Sequence, residues 1–295
     1  MQIDSFDVLL PHGISLSCRA CGPEGAPRLL FLHGFPEGAF IWDEVMLSLG
    51  KRYRCLAPNL RGFEHSSAPV EVDAYRVKPL MQDIAALIAW GGTEPLAALV
   101  AHDWGGALAW NLAVQRPDLM RRLVIINSPH PATFLRELQS NPAQQAASAY
   151  MNFLCRPDAE ALLAANDYER LWPFLTQMGA ATWLDASTRQ RYRAIWGCGL
   201  RGPLNYYRAS PLRPPTATDR SLMTLSFAPE FVTAALPTLV IWGEADTALP
   251  PALLEGLDQF VPQMQLRRVA GATHWIIHEQ PQLICEAIEA FVASI

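Results

Sequence analysis

Hydrophobic positions along the chain fall into short unbroken runs separated by helical patterns. The runs "RLLFLHG" (28–34), "RCLAP" (54–58), "LAALVAH" (96–102), "RLVIIN" (122–127) and "TLVIWG" (238–243) all lack the alternation of a half-exposed strand. Unbroken runs of this length predict strands buried on both faces, as in a parallel sheet covered by helices. Between them, "KPLMQDIAALIAW" repeats Leu80, Ile84, Leu87 and Ile88 on one helical face and stops at Gly91-Gly92. "GGALAWNLAVQRPD" and the last segment, "QLICEAIEAFVASI", read as further helices. This alternation predicts an α/β fold: a doubly wound, mostly parallel sheet with helices on both faces.

The alternation stops between about Pro129 and Leu236, where no strand pattern occurs. Helical segments such as "AQQAASAYMNFL", "DAEALLAAND" and "STRQRYRAIWG" fill the interval, and "SPLRPPTATDR" (210–220) reads as an exposed loop. The expectation is a core domain built from residues 1–130 and 235–295, with residues 131–234 inserted as a helical lid. No internal repeat is visible.

Composition adds limits. The 295 residues are 51% hydrophobic and 17% charged, enough for one large α/β domain carrying an insertion. A formal charge of −5 without a basic cluster argues against nucleic acid as a partner. No apolar run reaches the ~18 residues of a membrane span. The start "MQIDSFDVLLPHG" lacks the pattern of a signal peptide, so a cytoplasmic protein, monomer or homodimer, is expected. Six cysteines are too scattered for a disulfide framework. Cys18 and Cys21 form a CxxC without a second pair, on an early strand and turn, so buried or edge thiols are favoured over metal or redox use.

The stretch "VAHDWGGALAW" (100–110) carries the chemistry. Asp103 lies at the carboxyl end of a buried strand, where ligands collect in open parallel sheets, and a helix follows at once. An aspartate there can be a simple N-cap. Two glycines in the first helical turn cost stability, however, and point to backbone crowding. Ala101 and Gly105, two before and two after Asp103, match the small-x-nucleophile-x-small elbow. The chain then supplies Asp246 in "WGEADTALP" and His274 in "RVAGATHWIIHEQP", in the order nucleophile, acid, histidine. "LHGFPEG" puts the Phe35 N–H beside that of Trp104 as an oxyanion hole.

With these residues in view, the whole chain resembles an α/β-hydrolase-fold enzyme of the epoxide hydrolase and dehalogenase branch. The likeness is carried by "HGFP" (33–36), "HDWGG" (102–106), "NSPHP" (127–131), "WGEAD" (242–246) and "THW" (273–275). A carboxylate suits attack at saturated carbon, since it is anionic at neutral pH and yields an ester that water can open, whereas serine would leave an ether. His274, held by Asp246, would activate that water. The lid segments "SAYMNFLCRPD" and "RGPLNYYRAS" resemble those that bear the ring-opening tyrosines of epoxide hydrolases. By that match Tyr150 and Tyr207 are the proton donors and, with Phe35 and Trp104, contact the substrate. Rings packing the lid core are the plainer reading, and Tyr206 is as eligible as its neighbour on composition.

The resemblance therefore implies a cofactor-independent hydrolase, without metal, acting on a small hydrophobic epoxide with water. The alternative is a haloalkane or haloacetate dehalogenase using the same aspartate. Against it, Phe35 replaces the polar residue, often Asn, of haloalkane dehalogenases, and Trp104 replaces the Arg usual in fluoroacetate dehalogenases. A hydrolase-fold binding protein without turnover is a third reading, opposed by the complete catalytic set. The chain departs from the family pattern in "NLRGFEHSS", at Asn59, Glu64 and His65, and at Thr273, where glycine is usual. His33 and His102 are expected to support loops, with His130 at the lid hinge. His12, His65 and His278 are expected at the surface or behind the site. Glu37 either orients the site or is solvated, and Trp172, Trp183 and Trp196 are expected in the lid core.

Overall fold

Five buried strands set the frame, and all five apolar runs form them. The computed structural model describes residues 1–177 and 181–293. One sheet contains β1 (Asp4–Leu9), β2 (Ser15–Cys21), β3 (Arg28–Leu32), β4 (Arg54–Pro58), β5 (Ala98–His102), β6 (Leu123–Ile126), β7 (Thr238–Gly243) and β8 (Met264–Val269). Its order is β1-β2-β4-β3-β5-β6-β7-β8. β1 and β2 pair antiparallel, as do β2 and β4; the remaining pairs are parallel. Every residue of β5, β6 and β7 is buried.

The early strand expected at Cys18 is β2, and two further strands, β1 and β8, were not anticipated. β1 and β2 form a hairpin at one edge, where β1 buries only Val8. β8 forms the other edge, and of "MQLRRV" it buries only Val269. Edge strands covered on one side carry polar residues, so they give no apolar run. Cys18 and Cys21 both lie buried in β2, and Cys21 sits opposite Cys55 across the β2–β4 pair. Burial, helped by nearby Asp7, pushes the Cys18 thiol up to about 12, so it stays protonated.

The helices are α1 (Asp43–Leu49), α2 (Val77–Trp90), α3 (Asp103–Gln115), α4 (Pro131–Ser140), α5 (Pro142–Ala147) and α6 (Tyr150–Leu154). They continue with α7 (Ala159–Tyr168, kinked at Ala165), α8 (Trp172–Gln177), α9 (Ala186–Gly197), α10 (Arg201–Ala209), α11 (Ile276–Glu279) and α12 (Pro281–Ala293). Helices α4 to α10 all lie between β6 and β7, and among the described residues this interval adds no strand. The predicted "AQQAASAYMNFL" helix is split into α5 and α6, with Ser148 and Ala149 between them. None of the described helices is long and apolar enough to cross a membrane.

Candidate active site

β5 ends at His102 and α3 begins at Asp103 with no residue between. Asp103 takes φ +48°, the left-handed region, which costs a non-glycine residue on the order of 1–3 kcal/mol. Crowding holds it there. A Cβ on Gly105 would lie 2.5 Å from the Leu32 carbonyl oxygen, so α3 packs directly against the end of β3. A Cβ on Gly34 would lie 2.1 Å from Asp103 Oδ1. The Ser128 hydroxyl donates to the Asp103 carbonyl at 2.6 Å. Gly105→Ala is expected to destabilise the protein by about 1–3 kcal/mol, as overpacking does, and to lower activity with it. Thermal unfolding beside turnover checks this.

The Phe35 N–H donates to Asp103 Oδ1 at 2.7 Å, so this oxygen already occupies the place of an oxyanion. The Trp104 N–H belongs to the first turn of α3, whose N–H groups have no partner within the helix. The other oxygen, Oδ2, lies 3.8 Å from His274 Nε2. His274 Nδ1 donates to Asp246 Oδ2 at 2.7 Å. Asp246 Oδ1 accepts from the Ala248 and Leu249 N–H groups at 2.9 and 2.8 Å. Burial alone would strip the proton from His274. The carboxylates of Asp246 and then Asp103 outweigh it and raise the imidazole to about 9.

Tyr150 on α6 and Tyr207 on α10 lie with ring centroids 6.2 Å apart, both within reach of the Asp103 charge. Tyr207 packs edge-on to Phe35 at 5.3 Å and to Trp104 at 5.0 Å. Burial, then Asp103 and Asp246, push the Tyr150 phenol above the usual range. Burial, then Tyr150 and Asp103, do the same for Tyr207. Both phenols therefore hold their protons at neutral pH. Tyr206 points elsewhere: its hydroxyl donates to the Arg61 carbonyl at 3.0 Å.

The alpha/beta hydrolase fold family matches residues 27–281 of the chain. Epoxide hydrolase 3 of Xenopus tropicalis is 32% identical over 95% of this chain and 75% of its own length. The chain belongs to the epoxide hydrolase branch of the alpha/beta hydrolases. The AB hydrolase superfamily protein YfhM of Bacillus subtilis is 34% identical over 96% of both chains. Among solved structures, an epoxide hydrolase from metagenomes of hot environments superposes with TM-score 0.90, at 35% identity and full coverage of both chains. A Bacillus megaterium epoxide hydrolase bound to an inhibitor gives TM-score 0.89 at 28% identity, over 98% of this chain and 100% of its own.

Two residues that surround the site of this alpha/beta hydrolase, Asn127 and Phe174, had no role assigned from sequence. Asn127, at φ +38°, donates to Asp246 Oδ2 at 2.8 Å and accepts from the Gly243 N–H at 2.8 Å, tying the acid to β7. Phe174 on α8 stands edge-on to both Phe35 (5.9 Å) and Tyr150 (5.5 Å). Glu37 is buried rather than solvated. It accepts from His102 Nδ1 at 3.1 Å and from the Tyr192 hydroxyl of α9 at 3.0 Å, with His278 at 3.2 Å. Burial opposes the Glu37 charge, yet the bonds from His102 and His278 hold its carboxyl well below the usual range. His102 Nε2 also donates to the His274 carbonyl at 3.0 Å.

The other histidines brace loops. His33 accepts from the Leu60 N–H at 3.0 Å, and burial lowers it to about 4. His130 bonds the Val232 carbonyl at 2.8 Å, and His12 bonds Asp83 at 2.6 Å. His65 is exposed near Cys198. The departures from the family pattern compensate each other locally. Asn59 hydrogen-bonds Glu64, and its oxygen accepts from the Ala39 N–H at 2.8 Å. The Thr273 hydroxyl donates to Glu279 at 2.6 Å and accepts from the Trp275 N–H at 3.2 Å, fixing the loop that bears His274. Trp196 is buried against Trp172, and Trp183 stacks on His278 at 4.1 Å.

Proposed function

We propose that this protein opens a small hydrophobic epoxide to a vicinal diol through an ester on Asp103, without metal or organic cofactor. Two protonated phenols, paired with each other and both acted on by the Asp103 charge, support this reading most directly. Asp103 Oδ2 attacks a ring carbon, the carbon–oxygen bond breaks, and the oxygen takes a proton from Tyr150 or Tyr207. The negative charge passes from the carboxylate to the tyrosine side, so no free alkoxide builds up. His274 then removes a proton from water as that water attacks Cγ of Asp103. The charge that forms on Oδ1 rests against the Phe35 and Trp104 N–H groups, where one donor is worth about 2.7–4 kcal/mol of barrier. Collapse expels the diol, and the proton on His274 restores the tyrosinate through the departing hydroxyl.

Residues 131–234 act as the lid over a core of residues 1–130 and 235–295 in this reading, with Phe35, Trp104 and Phe174 as apolar walls. The protein is taken as a cytoplasmic monomer or homodimer. Tyr150→Phe and Tyr207→Phe are each expected to slow ester formation by on the order of 10²-fold, the lower end of general-acid effects. The double variant should fall further. Halide release from haloalkanes or haloacetates that survives both substitutions would favour a dehalogenase instead. Rapid-quench ester measurement beside halide assay separates the two.

A further inference from the structure

Tyr206 and Tyr207 are neighbours on α10, about 100° apart around the helix, as 3.6 residues per turn requires. Any contact that fixes the direction of one therefore fixes the other. Tyr207 stands edge-on to Phe35 and Trp104, the residues beside Asp103, and Tyr206 packs into the core. The Tyr206 side chain is fully buried, its ring edge-on to Phe63 (5.4 Å) and to Tyr75 (5.6 Å). Trp104 touches both tyrosines, at 5.6 and 5.0 Å.

The acceptor of the Tyr206 hydroxyl is unusually well held. Arg61, whose carbonyl takes that bond, places its guanidinium on Asp83 through two bonds of 2.7 and 2.6 Å, and on the Ala74 carbonyl at 2.8 Å. Both members of the ion pair are buried, and His12 closes the remaining side of Asp83. The next residue, Gly62, meets Gly202 of α10 backbone to backbone: a Cβ on Gly202 would lie 2.5 Å from the Gly62 Cα. The first turn of α10 is thus pressed on the loop, and the Tyr206 hydroxyl pins the rotation of its second turn.

We infer that Tyr206 is a positioning residue for ring opening: its bond to the Arg61 carbonyl, anchored by the Arg61–Asp83 pair, aims the Tyr207 phenol at the epoxide oxygen. This rests on the reading of Tyr207 as a proton donor. Small errors in aim matter, since a misplacement of about 1 Å can cost on the order of 10²-fold in rate. Tyr206→Phe removes the hydroxyl alone and keeps the ring contacts.

The test is a double-mutant cycle on two separate rates, ester formation and ester hydrolysis, in single turnover with a terminal aryl epoxide. Tyr206→Phe is expected to slow ester formation by roughly tenfold, less than full misplacement costs, while ester hydrolysis keeps its wild-type rate. In a Tyr207→Phe background the same change should have no further effect, because there is no phenol left to aim. An equal factor in both backgrounds, or equal losses in both rates, would make the role merely structural and overturn the inference. Unchanged hydrolysis also certifies an intact fold. If Tyr207→Phe alone leaves ester formation at the wild-type rate, the proton-donor reading fails and takes this inference with it.

Discussion

Asp103→Asn is expected to abolish turnover, on the scale of the roughly 10⁶-fold losses that follow removal of a covalent nucleophile. Asparagine is the informative replacement. It tolerates the left-handed backbone that Asp103 adopts at φ +48°, and its amide oxygen can still accept the Phe35 N–H. The fold and oxyanion contact survive while the negative charge is lost. A second consequence follows without any substrate. Asp103 is one of the carboxylates that lift His274 to about 9, so the imidazole of the variant should titrate lower than in the wild type. Proton NMR of the His274 ring reads this directly. Retained turnover would mean that Asp103 is not the nucleophile, and an unmoved titration that the two side chains are not electrostatically linked as their 3.8 Å separation implies.

His274→Gln is expected to leave ring opening largely intact and to stop ester hydrolysis. The protein should then gain the mass of one substrate on the peptide carrying Asp103, with a single burst of diol precursor and no turnover. The wild-type pH profile carries the same logic. In the resting enzyme His274 loses its proton as pH rises through about 9. Once Asp103 is esterified its charge is gone, and one of the forces raising the imidazole disappears. The basic form needed for water activation thus prevails at lower pH in the ester than in the resting enzyme. Single-turnover ester hydrolysis should rise with pH through an inflection below 9. An inflection at or above the resting value would contradict the assigned sequence of charges.

What could be read from the chain follows from how each part is buried. β3, β5, β6 and β7 are covered on both faces, so they appear as unbroken apolar runs. β1, β2 and β8 alternate or turn polar at the edges, and "MQLRRV" of β8 gives no strand signal by itself. The elbow at Asp103 was readable because Gly105 is required by close backbone approach, a constraint local in sequence. The Asp246 and His274 positions were readable from order and from likeness. The supports were not. Glu37 meets Tyr192 from 155 residues away, and Asn127 reaches Asp246 across 119, with no periodicity or motif to announce either contact. Tyr207 was chosen over Tyr206 by the likeness of its lid segment alone; composition left the two equal, since helix rotation is set by the Arg61 carbonyl and by Gly62 against Gly202.

The proposed reaction turns on a covalent ester that water opens at the side-chain carbon of Asp103, not at the substrate carbon. A single turnover in ¹⁸O-labelled water, with enzyme in excess over epoxide, tests this directly. Heavy oxygen is expected in the Asp103 peptide, and none from solvent in the diol of that first turnover. Solvent label in the diol with an unlabelled Asp103 would show that water attacks the epoxide itself, and would contradict the proposed reaction.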